Sequence, residues 1–205
     1  MDAPQPPRLY LATPPVFDLQ TFPDVMSRVL DSTDIACVRL ALALTDEDQL
    51  SRSADALRDL TIARDIALVI DDHVVLAERH GLDGVHLTDA ARSVRGARKA
   101  LGPDGIVGAY CGQSRHDGMT AGEAGADYVS FGPVGGALGD GSVAEFDLFD
   151  WWSQVIEVPV VAQGGLTVVH VEELADYTDF FGIGDEIWSA EDPVAALEAL
   201  TAPLR

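Results

Sequence analysis

A chain of 205 residues, 47% of them hydrophobic, can bury one substantial core, and its formal charge of −21 repels nucleic acid and anionic membranes. No apolar run approaches the ~20 residues needed to cross a bilayer, and residues 1–7 carry neither the basic nor the apolar region of a signal peptide. Cys37 and Cys111 make no metal-ligand spacing and read as reduced, partly buried thiols of a cytoplasmic protein.

Strand-like apolar runs alternate with helix-like segments along the whole chain. After a proline-rich flexible extension (1–7), the first strand spans 9–12 and passes through Thr13-Pro14-Pro15 into a helix over 18–30. The second strand, 35–40, precedes a helix over 45–64, and the acidic run Thr45-Asp46-Glu47-Asp48 suits that helix's N-terminus. Strand three, 67–70, meets Asp71-Asp72-His73 and a helix over 74–80; strand four, 84–87, contains His86. The helix over 91–101 carries Lys99, the one lysine among thirteen basic residues, on a basic amphipathic face. Any Schiff base or lysine grip on phosphate would have to use it, and it reads as solvated surface. Strand five (106–110) leads to a helix over 115–122, and strand six to a helix over 147–156 in which Trp151-Trp152 reads as packing or subunit contact. Strand seven leads to a helix over 168–175, and strand eight (180–183) to a helix over 193–200.

Eight βα units of roughly 25 residues predict a single-domain α/β protein, a (β/α)8 TIM barrel, close to the lower size for that fold. A doubly wound open sheet is the competing fold. It wants a glycine-rich turn after its first strand, which Thr13-Pro14-Pro15 cannot form.

Two strands end in glycine. Strand six, 128–132, closes on Gly132 and runs into Pro133-Val134-Gly135-Gly136; strand seven, 158–162, is followed by Gln163-Gly164-Gly165. Barrel chemistry sits at the C-terminal strand ends, and a phosphate often binds near the last two strands. Gly132, Gly135, Gly136, Gly164 and Gly165 are therefore candidates for a phosphate or related anion cup, with a plain tight turn as the alternative.

The landmarks Leu9-Tyr10-Leu11, Asp83-Gly84-Val85-His86-Leu87, Ala124–Val129, Phe131-Gly132-Pro133-Val134, 158–166 and Ser189–Pro193 stand in the order found in thiamine phosphate synthases and their TenI-type thiazole tautomerase relatives. The chain resembles that family over nearly its whole length. The resemblance implies a role in thiamine biosynthesis: joining an aminopyrimidine pyrophosphate to a thiazole phosphate, with Mg2+, in a cytoplasmic homodimer. The ligand it implies is a small phosphorylated thiazole or pyrimidine.

Such an ionisation needs cations around the departing pyrophosphate and carboxylates on the metal. The family's Gln-x-Arg-x-Lys after strand two becomes Arg39-Leu40-Ala41-Leu42-Ala43. Its Ile-Asn-Asp-Arg after strand three becomes Ile70-Asp71-Asp72-His73, so Asp72 matches a metal aspartate and Asp71 replaces asparagine. The second metal carboxylate falls on Ala91, and Asp89 could substitute only if its loop shifts. The tautomerase histidine corresponds to Gly112, and the second lysine grip to Asp140. In the run 182–186, Asp185 stands near the phosphate-cup serine.

The candidate catalytic residues are thus Arg39 and His86, and the candidate Mg2+ ligands Asp72 and Asp71. Arg39 either anchors a ligand or pairs with Asp71 or Asp72. His86 either contacts ligand or is a hydrogen-bonded barrel histidine, and His73 is a base or a helix start. Neighbours on a strand point to opposite faces, so only one of Asp71 and Asp72 faces the barrel. The departures imply lost or altered transferase activity. A non-catalytic ligand-binding or regulatory barrel and a TenI-like tautomerase are the other readings.

Overall fold

The structure is a computed structural model that describes residues 6–43, 46–136 and 142–205. The predicted TIM barrel is present. Eight parallel strands close on themselves in chain order: β1 (Arg8–Ala12), β2 (Ile35–Leu40), β3 (Ala67–Asp71), β4 (Gly84–Leu87), β5 (Ile106–Tyr110), β6 (Tyr128–Phe131), β7 (Val160–Gln163) and β8 (Phe180–Ile183). Around them lie α1 (Phe22–Ser32), α2 (Glu47–Ile62), α3 (Val74–His80), α4 (Val94–Leu101), α5 (Arg115–Ala124), α6 (Phe146–Val155), α7 (Val168–Leu174), α8 (Asp185–Trp188) and α9 (Pro193–Leu200). No helix among the described residues is long and apolar enough to cross a membrane.

Local chemistry explains where the elements start and stop. The first helix begins at Phe22 rather than at 18 because Asp18 closes a turn, accepting from Gln20 N–H through Oδ1 (2.8 Å) and from Phe22 N–H through its carbonyl (2.9 Å). The fourth begins at Val94 rather than 91 because residues 90–93 form a turn closed on Asp89, whose carbonyl accepts from Arg92 N–H (3.4 Å) and whose Oδ2 accepts from the Ser93 hydroxyl (2.6 Å). Asp46 caps α2 by accepting from Gln49 N–H at 2.8 Å, as its acidic start implied; Thr45 lies outside the described residues. The seventh strand starts at Val160, two residues late, and extends through Gln163. One-turn α8 and a 3-10 turn at Ala202–Leu204 were not expected, since a single turn has no period to read.

The main core lies between the barrel and its helices, where Trp152, Phe131, Phe149 and Phe181 are fully buried. Trp152 donates Nε1–H to Val158 O (2.8 Å) and meets Phe131 edge-on at 4.9 Å, the packing role expected for it. A second, smaller cluster of Tyr10, Cys37, Val69, Tyr128 and Val161 fills the barrel interior. At the N-terminal ends of the strands, three aspartates do one repeated job. Asp83, Asp127 and Asp179 each accept the N–H of a residue on the preceding strand: Leu68 (2.7 Å), Val107 (2.7 Å) and Val160 (2.8 Å). These acids fix register at the face of a barrel that governs stability.

Both cysteines are free and buried, and burial pushes each thiol up to about 12. The reactive thiolate is therefore scarce at neutral pH. Native protein at pH 8 is expected to resist a thiol-reactive disulfide reagent and to release two thiols in guanidinium. Rapid stoichiometric labelling of the native protein would contradict that burial.

Candidate functional site

The strands deliver a small set of polar side chains to their C-terminal ends. Arg39, one residue from the end of β2, points into the barrel and grips Asp71 at the end of β3 with both arms of its fork. Nε to Oδ1 is 2.7 Å and Nη2 to Oδ2 is 3.0 Å. Its remaining Nη1 crosses the mouth to Gln163 Oε1 on β7, at 3.3 Å. The two charged side chains are only 13% and 19% exposed. Burial opposes the Arg39 charge, but Asp71 with Tyr10 and Tyr128 together outweigh it and hold the guanidinium firmly protonated; burial raises the Asp71 carboxyl against the pull of Arg39. Of the two partners offered by the sequence, Asp71 is thus the one used.

Asp72, one residue past the end of β3, turns the other way. It adopts φ 55, which aspartate tolerates better than most residues. Its Oδ1 accepts Thr88 N–H at 2.8 Å and its Oδ2 accepts Thr88 Oγ1–H at 2.5 Å, tying the loop after β3 to the loop after β4. His73 stands at the start of α3 and makes no side-chain cap bond. Asp89 Oδ2 accepts locally from the Ser93 hydroxyl at 2.6 Å.

Mg2+ wants an octahedron of oxygens that usually includes one or two free carboxylates. Both Asp71 oxygens accept from Arg39 and both Asp72 oxygens from Thr88, so the two carboxylates are turned to different partners and do not converge on one cation. Among the described residues no group of three or more His, Cys, Asp or Glu side chains could hold a metal ion. The donor set does not fit a resident Mg2+.

His86 is completely buried, so it reaches no ligand at the mouth directly. Its Nδ1 lies 2.9 Å from Tyr128 Oη, which lies 2.7 Å from Tyr10 Oη, a polar chain across the interior. Burial, reinforced by nearby Arg39, drives the His86 pKa well below its ordinary value, so the ring is neutral. Its Nε2 and the Ser130 hydroxyl are buried without a protein partner among the described residues. Of the two readings of His86, the geometry is that of a hydrogen-bonded barrel histidine.

The five candidate glycines divide. A Cβ on Gly165 would stand 1.8 Å from Gly135 O, and one on Gly135 would stand 2.3 Å from Gly165 O. A Cβ on Gly132 would likewise stand 2.3 Å from Gln163 O, and Gly164 has φ 82. These four let the loops after β6 and β7 touch backbone to backbone, an association sealed by Val134 and Gly135 N–H groups donating to Gly164 O (2.9 and 3.0 Å). Gly136, at φ 78, faces open space. The Asp140 position lies outside the described residues.

A cavity of about 390 Å3 opens at the C-terminal ends of β1, β2, β7 and β8, and Arg39 is the one basic residue among the described residues lining it. Asp185 and Glu186 line it too. A larger hollow of about 560 Å3, beside Pro7, Trp152 and Arg205, lies at the opposite face, away from these side chains. Sequence reasoning missed Gln163, Tyr110 and the part played by Glu186. Tyr110 donates its hydroxyl to Gly132 O at 2.7 Å, bracing the loop after β6. Strand alternation from Val161 could have placed Gln163 inside; no signal marked the others.

A family profile described as thiamine monophosphate synthase matches residues 9–180. A thiamine-phosphate synthase of Rhodospirillum centenum is 40% identical over 202 residues, 97% of this chain and 98% of that protein. One from Erythrobacter litoralis is 35% identical over 198 residues, 93% of this chain and 92% of the relative. Among solved structures, thiamine phosphate pyrophosphorylase from Pyrococcus furiosus superposes with a TM-score of 0.81 at 26% identity, covering 96% of this chain and 95% of its own.

Proposed function

Because the chain belongs to the thiamine monophosphate synthase family, we propose that it serves thiamine biosynthesis as a barrel that holds a small phosphorylated thiazole or pyrimidine, with the family's coupling reaction lost or strongly weakened. The observation that carries this reading is the commitment of Arg39 to Asp71. Coupling requires the pyrophosphate to leave as an anion while the pyrimidine carbocation is captured by the thiazole nitrogen. Positive groups aimed at the leaving oxygens would stabilise that separation. Here the guanidinium is already neutralised by Asp71, and Ala41 and Ala43 offer nothing further.

Each missing charge-assisted contact is worth about 1.5–3 kcal/mol. The loss of three would slow the ionisation by roughly 10^3- to 10^6-fold. Asp72, which matches a metal aspartate, accepts twice from Thr88 and the second metal position is Ala91, so Mg2+ enters this reading only with a diphosphate ligand. Arg39 Nη1 and Gln163 are the groups placed to meet a ligand's polar edge, while His86 positions the floor through Tyr128. The tautomerase reading lacks its base, because that position is Gly112. The protein is proposed to act in the cytoplasm with residues 1–205 as a single domain and, as the resemblance implies, as a homodimer.

Calorimetry with hydroxymethylpyrimidine diphosphate and Mg2+, followed by a coupling assay with thiazole phosphate, tests the proposal. Turnover is expected to lie at least about a thousandfold below that of an active family member assayed in parallel. Comparable turnover would sink the reading.

A further inference from the structure

The loops after β7 and β8 close on a side chain of the protein itself. Glu186, in the single turn of α8, accepts Leu166 N–H through Oε1 at 3.0 Å and Gly184 N–H through Oε2 at 2.7 Å. The two amides come from different loops. The left-handed turn at Gly164 (φ 82) and Gly165 (φ 71) leads directly into the Leu166 amide, while Gly184 lies two residues before Glu186 itself. In barrels of this kind the loops following the seventh and eighth strands are the frequent phosphate site. A carboxylate presents two acceptor oxygens carrying negative charge, the same features that a phosphate monoester would offer to those amides. Glu186 also lines the cavity shared with Arg39, Gly164, Gly165 and Gly184.

We propose that Glu186 is an internal competitor for the ligand's phosphate: its carboxylate holds the Leu166 and Gly184 amides in the ligand-free protein, and a phosphate enters only by displacing it. The inference rests on the reading that the mouth takes a phosphorylated ligand, and adds how that ligand is selected. A tethered side chain meets its site at an effective concentration of millimolar or more, so free phosphate competes poorly against it. Apparent affinity falls in proportion to the fraction of molecules in which the cup is open. An opening of one molecule in ten costs about tenfold in affinity. Once displaced, the carboxylate remains beside the incoming anion together with Asp185, and like charge adds to the penalty.

The test is an NMR titration of the 15N-labelled full chain with inorganic phosphate, following the Leu166 and Gly184 amide resonances. In E186A these are expected to shift with a midpoint at least tenfold lower in phosphate than in the wild type, and in E186Q the midpoint should lie between. Equal midpoints in wild type and variant, or no shift of either amide in the variant, overturn the proposal. If E186A does not fold, E186Q keeps the side-chain volume while losing the charge and carries the same comparison. Inorganic phosphate has no organic moiety, so this outcome is separate from that of the coupling assay. Full turnover there would overturn the functional reading without moving the phosphate midpoints.

Discussion

Replacing Arg39 with alanine is expected to destabilise the protein by about 3 kcal/mol, the low end of what breaking a buried ion pair costs. The low end applies because the two side chains keep 13% and 19% of their surface in contact with solvent. The loss arises less from the attraction removed than from the carboxylate left behind. Without the guanidinium, Asp71 is a buried acid stripped of both hydrogen-bond donors, and Gln163 Oε1 loses its partner across the mouth. The double variant R39M/D71L removes both charges and fills the space with apolar atoms. It should recover most of the loss, since buried ion pairs are often replaceable by packed hydrophobic groups. Urea denaturation of wild type, R39M, D71L and the double variant gives the coupling energy directly. A coupling near zero would show that the pair contributes little, and Arg39 would then be free to serve a ligand. A large coupling means that a ligand must compete with Asp71 for the same guanidinium.

The fold was legible because its signals are local and repeated. Each strand is a short β-branched or aromatic run, and the alternation of eight such runs with helical segments leaves few other closures. Asp83 and Asp127, which stood unexplained within sequence landmarks, reinforce register together with Asp179, which no landmark marked. The site was legible only in outline. That Arg39 needs a carboxylate follows from the cost of burying its charge, but the choice of Asp71 depends on which neighbour faces inward. The glycines were read as a phosphate cup, yet their closest demands are steric, with Gly135 and Gly165 backbones in contact. Glu186 could not be placed from sequence, because its partners Leu166 and Gly184 meet only when two separate loops are folded. Long-range convergence of this sort has no period and no spacing.

His86 should make the protein less stable as pH falls below about 6.5, and this is the second large effect expected. In the folded state the ring is fully buried and its pKa is driven well below the ordinary 6.5. The unfolded chain has no such restraint and takes up a proton near 6.5. The unfolded state therefore binds more protons below that value, and unfolding free energy rises with pH across this window and is flat above it. For this one group the loss between pH 7 and pH 5 is about 2 kcal/mol, provided the folded ring stays neutral throughout. The limiting slope is about 1.4 kcal/mol per pH unit. H86Q retains a hydrogen-bonding group for Tyr128 but cannot titrate. Its denaturation midpoint should therefore fall less steeply than that of the wild type over the same range. Identical pH dependence in the two proteins would rule out His86 as the source. Should H86Q fail to fold, the imidazole Cε1–H resonance of the wild type gives an independent reading. It is expected to stay fixed down to pH 5, because protonation would place a cation within the field of Arg39 and in an interior that supplies no carboxylate hydrogen bond to the ring.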